Sequence, residues 1–428
     1  MYLDVYGDTL CAFVSAAALS STGHQVRLRL PQGAPLMALE QGGFPYREPG
    51  LAELMEEQQE EGRLRWERCQ GPTSEQCDVV WLALSPDSVE QAQQICAHLP
   101  RKPDRRWLVV NQSTFPVGTS DALQSKLRQN VGEAAAVVSL PDLLPEGAAL
   151  ATFTRADHWL VGSDTDWASD WVAELLRPFN RRLDHTLLMT PREAEFTKLA
   201  ITGMLATRLS YMNDLANLAD QLSVDIERVR QGMGTDSRIG DAYLYPGCGF
   251  GGQSFSRDLV NLVTTLAHGG QNARLVNEVL AINERQKEVL FRKLWRHYQS
   301  DLAGRRVTLW GTAFKPGSAR IDNGPALSLL TALWAQGVIV HVHDPQALPA
   351  LQEWAGERGD LALFDDPYEA AQGSDALLLV TEWKSYWSPD FPRLKQSMNE
   401  PLLLDGRNIW EPAVVREYGF DYYGIGRR

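Results

Sequence analysis

Leu3-Asp4-Val5-Tyr6-Gly7-Asp8-Thr9-Leu10-Cys11-Ala12 is a short apolar run, a glycine turn and the start of a second apolar stretch that continues to Ser21. The pattern predicts a strand at 3–6, a helix at 10–21 and a second strand at 26–30. Further runs at 79–84, 107–111 and 136–140 are equally short and bounded by turn residues. Strands at this spacing with helical patterns between them predict βαβ units and a parallel sheet. Such sheets receive ligands at the carboxyl ends of their strands, which makes the Gly7 turn the first place to look for a site.

The pattern changes at Pro191, a residue suited to a first helical turn. A helical run follows over 192–222, interrupted only by Gly203, with more helix at 226–232 and 256–297 and a break at Gly269-Gly270. Alternation then returns, with strands expected at 307–311, 338–343, 376–381 and 402–405 and a helix at 326–335. The expected organisation is α/β: two doubly wound units, 1–190 and 299–428, joined by a helical middle at 191–298.

A chain of 428 residues has room for two to four domains. Its 44% hydrophobic and 22% charged residues suit a soluble globular protein. Lys+Arg number 41 against 54 Asp+Glu, a net charge of −13, which argues against a general nucleic-acid binder. Met1-Tyr2-Leu3-Asp4 has no basic n-region, and no stretch is long and apolar enough for a membrane span, so a cytoplasmic protein is expected. The five cysteines (Cys11, Cys69, Cys77, Cys96, Cys248) have no C-x-x-C spacing, so neither a disulfide frame nor a metal site is expected.

The Gly7 turn departs from an ideal dinucleotide site. In G-x-G-x-x-G the second glycine lets the backbone approach a pyrophosphate, and the third permits close helix–strand packing. Here Gly7 keeps the first place, Thr9 puts a Cβ in the second, and Ala12 is a tolerable third. The acid that would hold ribose hydroxyls is replaced by Leu30 in Arg27-Leu28-Arg29-Leu30. On one reading Arg29 or Arg27 meets the 2′-phosphate of NADP. On the other, which the missing second glycine favours, they are strand residues of a site that no longer binds dinucleotide.

Tyr245-Pro246-Gly247-Cys248-Gly249-Phe250-Gly251-Gly252-Gln253-Ser254-Phe255-Ser256-Arg257-Asp258 places four glycines in six residues ahead of a helical start, a loop able to wrap a ligand. It resembles G-F-G-G-S-C-F-P-K-D of the UDP-glucose/GDP-mannose dehydrogenase family. Other segments resemble that family in order: Glu48-Pro49-Gly50-Leu51, Gly62-Arg63-Leu64, Gln112 to Thr119, Pro141 to Gly147, Ala313-Phe314-Lys315-Pro316, Thr381-Glu382-Trp383 and Asp405-Gly406-Arg407-Asn408.

The resemblance implies Rossmann-like outer domains, dimerisation through the helical middle, and oxidation of the 6-hydroxyl of a nucleotide-bound hexose by NAD. It implies a cysteine nucleophile where this chain has Ser254, whose hydroxyl lacks a comparable anionic population. It carries Thr114 over to the catalytic water, Glu146 to acid–base work, Lys198 and Thr202 to oxyanion stabilisation, and Asp258 to the nucleophile's neighbourhood. Asp142 and Leu144 fall in the substrate loop. Arg238, Tyr243, Tyr245, Gly249, Phe250, Gly251, Phe314 and Lys315 fall on the sugar-nucleotide side. Changes at Thr9, Leu30, Ser254 and Thr202 touch cofactor, nucleophile and oxyanion donor together. The expectation is therefore a UDP-sugar-binding homodimer with impaired or lost catalysis, alone or paired with an active relative. The alternatives are an active NAD(P)-dependent dehydrogenase making uronic acid for polysaccharide precursors, and a structural homodimer that has lost both ligands.

Overall fold

The computed structural model describes all residues except 34–38, 40–42, 70, 72, 102–104, 181–185 and 428. It divides into two compact units, Met1–Ile201 and Thr202–Arg428.

The first unit is built on eight strands: β1 (Tyr2–Tyr6), β2 (Gln25–Leu30), β3 (Leu64–Arg68), β4 (Val79–Leu82), β5 (Trp107–Asn111), β6 (Ala135–Ser139), β7 (Trp159–Gly162) and β8 (Thr186–Met189). Their order is β3-β2-β1-β4-β5-β6-β7-β8, parallel except where β6 meets β7. The order reverses direction between β1 and β4, which is where a doubly wound sheet opens its ligand crevice. Helix α1 (Leu10–Ser21) is buried from Cys11 to Ser20, because alanines at 12, 16, 17 and 18 let it lie close on the sheet. Buried Gln112 ties this layer together: its Oε1 accepts from Ser15 Oγ and Trp81 Nε1, both at 2.6 Å.

Helix α2 (Thr119–Val131) follows β5, and α3 (Pro191–Leu222) begins at the end of this unit. Thr190-Pro191-Arg192-Glu193 starts α3 with a capping box. Thr190 N donates to Glu193 Oε2 at 2.7 Å, and Glu193 N to Thr190 Oγ1 at 3.3 Å.

The second unit contains the rest of α3, then α4 (Ile226–Gly234), α5 (Gln253–His268), α6 (Arg274–Lys287) and α7 (Val289–His297). Its sheet comprises β9 (Arg306–Trp310), β10 (Ile339–His343), β11 (Leu361–Phe364), β12 (Ala376–Leu379), β13 (Leu402–Asp405) and β14 (Asp421–Tyr423), with α8 (Pro325–Trp334) and α9 (Leu348–Ala355) among its helices. The order, β11-β10-β9-β12-β13-β14, repeats the first sheet's reversal. Met212 and Ala216 of α3 share one core with Leu294, Leu309, Leu329 and Ile425, so the end of α3 packs with this sheet. Both reversal points use a glycine in the same way. A Cβ on Gly7 would lie 2.1 Å from Ala83 O, and one on Gly311 2.5 Å from Thr381 Cβ.

The expected parallel sheets are present. The sequence pattern missed β3, β7, β8, β11 and β14, and it started α5 three residues late. The expected 256–297 run is three helices.

Candidate active site

In the first unit, the Gly7 turn has the backbone of a phosphate turn but not its vacancy. Gly7 sits at φ +141 and donates to Arg29 O at 3.2 Å. Thr9 is the N-cap of α1: its Oγ1 accepts from Ala12 N at 3.2 Å and donates to Ala83 O at 2.7 Å. The hydroxyl thus takes a donor that a pyrophosphate would use, and the Cβ stands in the approach. Ala12 is fully buried, in keeping with its packing role.

At the ribose end Leu30 is fully buried. Arg29, 3% exposed, pairs with Glu67 at 2.9 Å, donates to Gly71 O at 3.0 Å and lies 5.7 Å from the Tyr6 ring. Arg27 holds Asp4 through two bonds of 2.8 and 2.7 Å. Both guanidiniums thus pair within the protein, Arg29 buried and Arg27 partly exposed. Gly7 and Ala12 match the dinucleotide turn, whereas Thr9 and Leu30 depart from its pattern.

The same unit holds four of the expected chemical residues. Thr114 is half-buried in the β5–α2 loop, which is pinned by Ser113 Oγ, accepting from Leu84 N at 2.9 Å and donating to Leu82 O at 3.2 Å. Glu195 of α3, buried, accepts from Gly118 N at 2.6 Å and Ser120 N at 2.8 Å, fastening α3 to the start of α2. Burial raises its carboxyl above the ordinary range. One turn along, Lys198 lies close enough to Cys11 to influence its ionisation, as does Asp142. The Cys11 thiol is itself pushed well up by burial, then by Asp142. Asp142 Oδ1 accepts from Leu144 N at 2.9 Å, which shapes the loop carrying half-buried Glu146. Glu48, buried, accepts from Gly147 N at 2.7 Å and so anchors that loop.

In the second unit the glycine loop is clamped. Asn283 of α6 accepts from Phe250 N at 2.8 Å and donates to Phe250 O at 3.0 Å. Gln286 donates to Gly247 O at 2.7 Å, and Asn213 of α3 accepts from Gly247 N at 2.9 Å. Arg407 donates to Gly249 O at 3.2 Å. Gly249 and Gly252 have φ of +94 and +91. A Cβ on Gly251 would lie 2.7 Å from Gly324 Cα, and one on Gly252 2.8 Å from the Phe314 ring. These glycines are therefore required by the loop's own packing, and Phe250 meets Phe255 edge-on at 5.1 Å.

Ser254 lies exposed in the first turn of α5 and makes no side-chain hydrogen bond among the described residues. Asp258, one turn on, is buried and accepts from Thr202 Oγ1 at 3.3 Å. Gly203 makes that meeting feasible, since a Cβ there would come within 2.7 Å of Leu262 Cδ2. Cys248 does not replace the missing thiol: it is buried against Val380 O, and burial pushes its pKa up.

The remaining expected residues are more scattered. Tyr243 and Tyr245 are exposed, and Arg230 lies 4.5 Å over the Tyr245 ring. Arg238 is exposed and bound to Asp236 at 2.7 Å. Lys315 lies 5.5 Å over Phe314. The reversed charges at 320–322 still pair, Arg320 with Asp322 at 2.8 Å, and Arg320 also reaches Gln253 at 2.9 Å. Lys287, 2% exposed, donates to Asn323 Oδ1 at 2.6 Å, and Asn323 donates to Ser256 Oγ at 2.7 Å. Sequence reasoning missed Glu195, Asn213, Asn283, Gln286, Lys287 and Arg407. Two signals were available: Asn283, Gln286 and Lys287 at three- and four-residue spacing, a polar stripe on one helix face, and Arg407 within the Asp405-Gly406-Arg407-Asn408 segment. No group of three or more His, Cys, Asp or Glu among the described residues could hold a metal. No described helix is long and apolar enough to cross a membrane.

Three sequence profiles match in order: the UDP-glucose/GDP-mannose dehydrogenase family NAD binding domain at 4–180, its central domain at 192–285 and its UDP binding domain at 308–412. The UDP-glucose 6-dehydrogenase of Pseudomonas aeruginosa is 39% identical, covering 100% of this chain and 98% of that protein. That of Rhizobium meliloti is 32% identical over 100% of each. A solved UDP-glucose dehydrogenase from Pyrobaculum islandicum superposes with a TM-score of 0.86 at 26% identity, covering 100% of this chain and 98% of that one. A UDP-D-ManNAc dehydrogenase structure from Pyrococcus horikoshii shares the fold, with a TM-score of 0.84 at 21% identity over 100% and 99% of the two chains. The chain belongs to the UDP-glucose/GDP-mannose dehydrogenase family.

Proposed function

We propose that this chain binds a UDP-sugar and that its oxidative chemistry is impaired. The observation that carries the reading is a contrast: the glycine loop of the second unit is clamped in full, while the phosphate turn of the first unit is capped by Thr9. The UDP-binding segment would hold the nucleotide, with Phe314, Lys315 and the 249–252 loop beside it. Ser254 would stand at the hexose carbon to be oxidised. Its hydroxyl makes no side-chain hydrogen bond among the described residues, and an oxygen ester leaves less readily than a thioester. Asp258 and Thr202 keep a hydrogen-bonded pair in the nucleophile's neighbourhood.

The division into 1–190, 191–298 and 299–428 and a cytoplasmic location belong to this reading. So does a homodimer formed through the helical middle. Exposed Met204, Tyr211, Leu218 and Leu222 lie seven, seven and four residues apart along α3, an apolar stripe suited to a second copy.

A second reading is an active NAD-dependent UDP-glucose 6-dehydrogenase supplying uronic acid for polysaccharide precursors. The 39% identity to a protein of that name over the whole chain favours it, and the comparisons as a set weigh toward it. Thermal-shift titration with UDP-glucose, UDP-N-acetyl sugars, GDP-mannose, NAD and NADP, followed by NADH absorbance, separates the two. Stabilisation by a UDP-sugar without dinucleotide binding or turnover supports impairment. Stabilisation by NAD with NADH formation establishes the second reading.

A further inference from the structure

A surface cleft of about 480 Å³ opens at the C-terminal ends of α8 and α9, lined by Thr331, Trp334, Ala335, Trp354, Ala355 and Arg358. Its wall is a pair of stacked indoles, Trp334 and Trp354, with ring centres 5.9 Å apart and planes 21° from parallel. Trp354 is 43% exposed, an unusual place for so large an apolar ring. The Arg358 guanidinium lies 3.9 Å from the Trp334 ring centre and is held by two bonds to Asp360, of 2.8 and 2.9 Å. The Trp334 indole nitrogen is buried and has no hydrogen-bond partner among the described residues. The alanines at 335 and 355 are too small to cover the rings.

We propose that this cleft binds a neutral pyranose unit of a glycan. The C–H face of a pyranose packs on an indole, which explains a bare, rigid Trp354 better than chain packing does. The Arg358–Asp360 pair presents donors and acceptors side by side, the combination that vicinal hydroxyls need. That pair has no net charge, so a polyanion gains no free cation here. The inference does not depend on the catalytic residues.

The test titrates the full chain with cellohexaose, maltohexaose and chitohexaose by calorimetry and saturation-transfer NMR, with and without UDP. At least one oligosaccharide is expected to bind without competition from UDP. Trp354→Ala is expected to weaken it about tenfold, and Arg358→Ala, which removes the cleft's donors, to weaken it severalfold. No binding up to about 10 mM, binding insensitive to both variants, or displacement by UDP overturns the proposal. Capture of a proline-rich peptide at Trp354 in place of sugar overturns it equally.

Discussion

Thr9→Gly tests how far one side chain controls the dinucleotide crevice. The substitution removes the cap on Ala12 N and the bond to Ala83 O. Losing the cap to glycine costs a few tenths of a kcal/mol, and the second bond contributes about 0.5–1.5, so stability should fall by about 1 kcal/mol. At about 2–4 °C per kcal/mol for a unit of some 200 residues, Tm should drop by about 2–4 °C. The same change frees an N–H at a helix start for a phosphate and clears the Cβ, a gain of about 1.4 kcal/mol or tenfold in NAD affinity. Thr9→Val is the control: it keeps the branched side chain and leaves Ala12 N and Ala83 O without their partner. It should destabilise by about 1–2 kcal/mol and gain no affinity. Calorimetry with NAD on the three proteins reads the outcome. Micromolar NAD binding by the wild type, or equal affinity in all three, would refute the claim that Thr9 blocks the turn.

Other outcomes follow from the same geometry. Ser254→Cys restores a thiol in the first turn of α5, yet should form no NADH from UDP-glucose while Thr9 and Leu30 remain; turnover in the single variant would show the cofactor site to be sound. Native-state alkylation at pH 8 with mass spectrometry should label that new cysteine quickly and leave Cys248 and Cys11 intact, because burial raises both thiols; rapid labelling of Cys248 would contradict its placement. Asn283→Ala strips both partners from Phe250, and at about 1–3 kcal/mol for each buried group left unmade it should lower Tm and UDP-glucose affinity together. Met204→Glu with Tyr211→Glu should turn a dimer into a monomer by light scattering; a wild type already monomeric at micromolar concentration would remove that part of the reading.

Much of the fold was legible along the chain. The strands at 2–6, 25–30 and 107–111 are almost wholly buried because both faces of a parallel sheet are covered, and their inner polar residues Asp4, Arg27, Arg29 and Asn111 are paired within the protein. The missed strands explain themselves. β3 reads Leu64-Arg65-Trp66-Glu67-Arg68, three charges in five residues, because it is an edge strand whose alternate positions Arg65 and Glu67 are exposed. Of the candidate site, the glycine loop and the departures from the family pattern at Thr9, Leu30 and Ser254 could be found from motif positions alone.

What the sequence determined by itself was local: where strands and helices recur, which turns need glycine, and that a serine stands where a thiol is wanted. Those features depend on a few neighbouring residues, so order along the chain suffices to see them. What only the tertiary structure decided was the occupation of each polar group. Arg29 reads as a strand residue or, less readily, as a phosphate ligand until Glu67, 38 positions away, pairs with its guanidinium. Glu195, Asn283 and Arg407 look like ordinary polar residues until the fold brings them to the orphan backbone groups of distant loops. A hydrogen bond is defined by its partner as much as by its donor, and here the partners lie 33 to 158 residues apart in sequence.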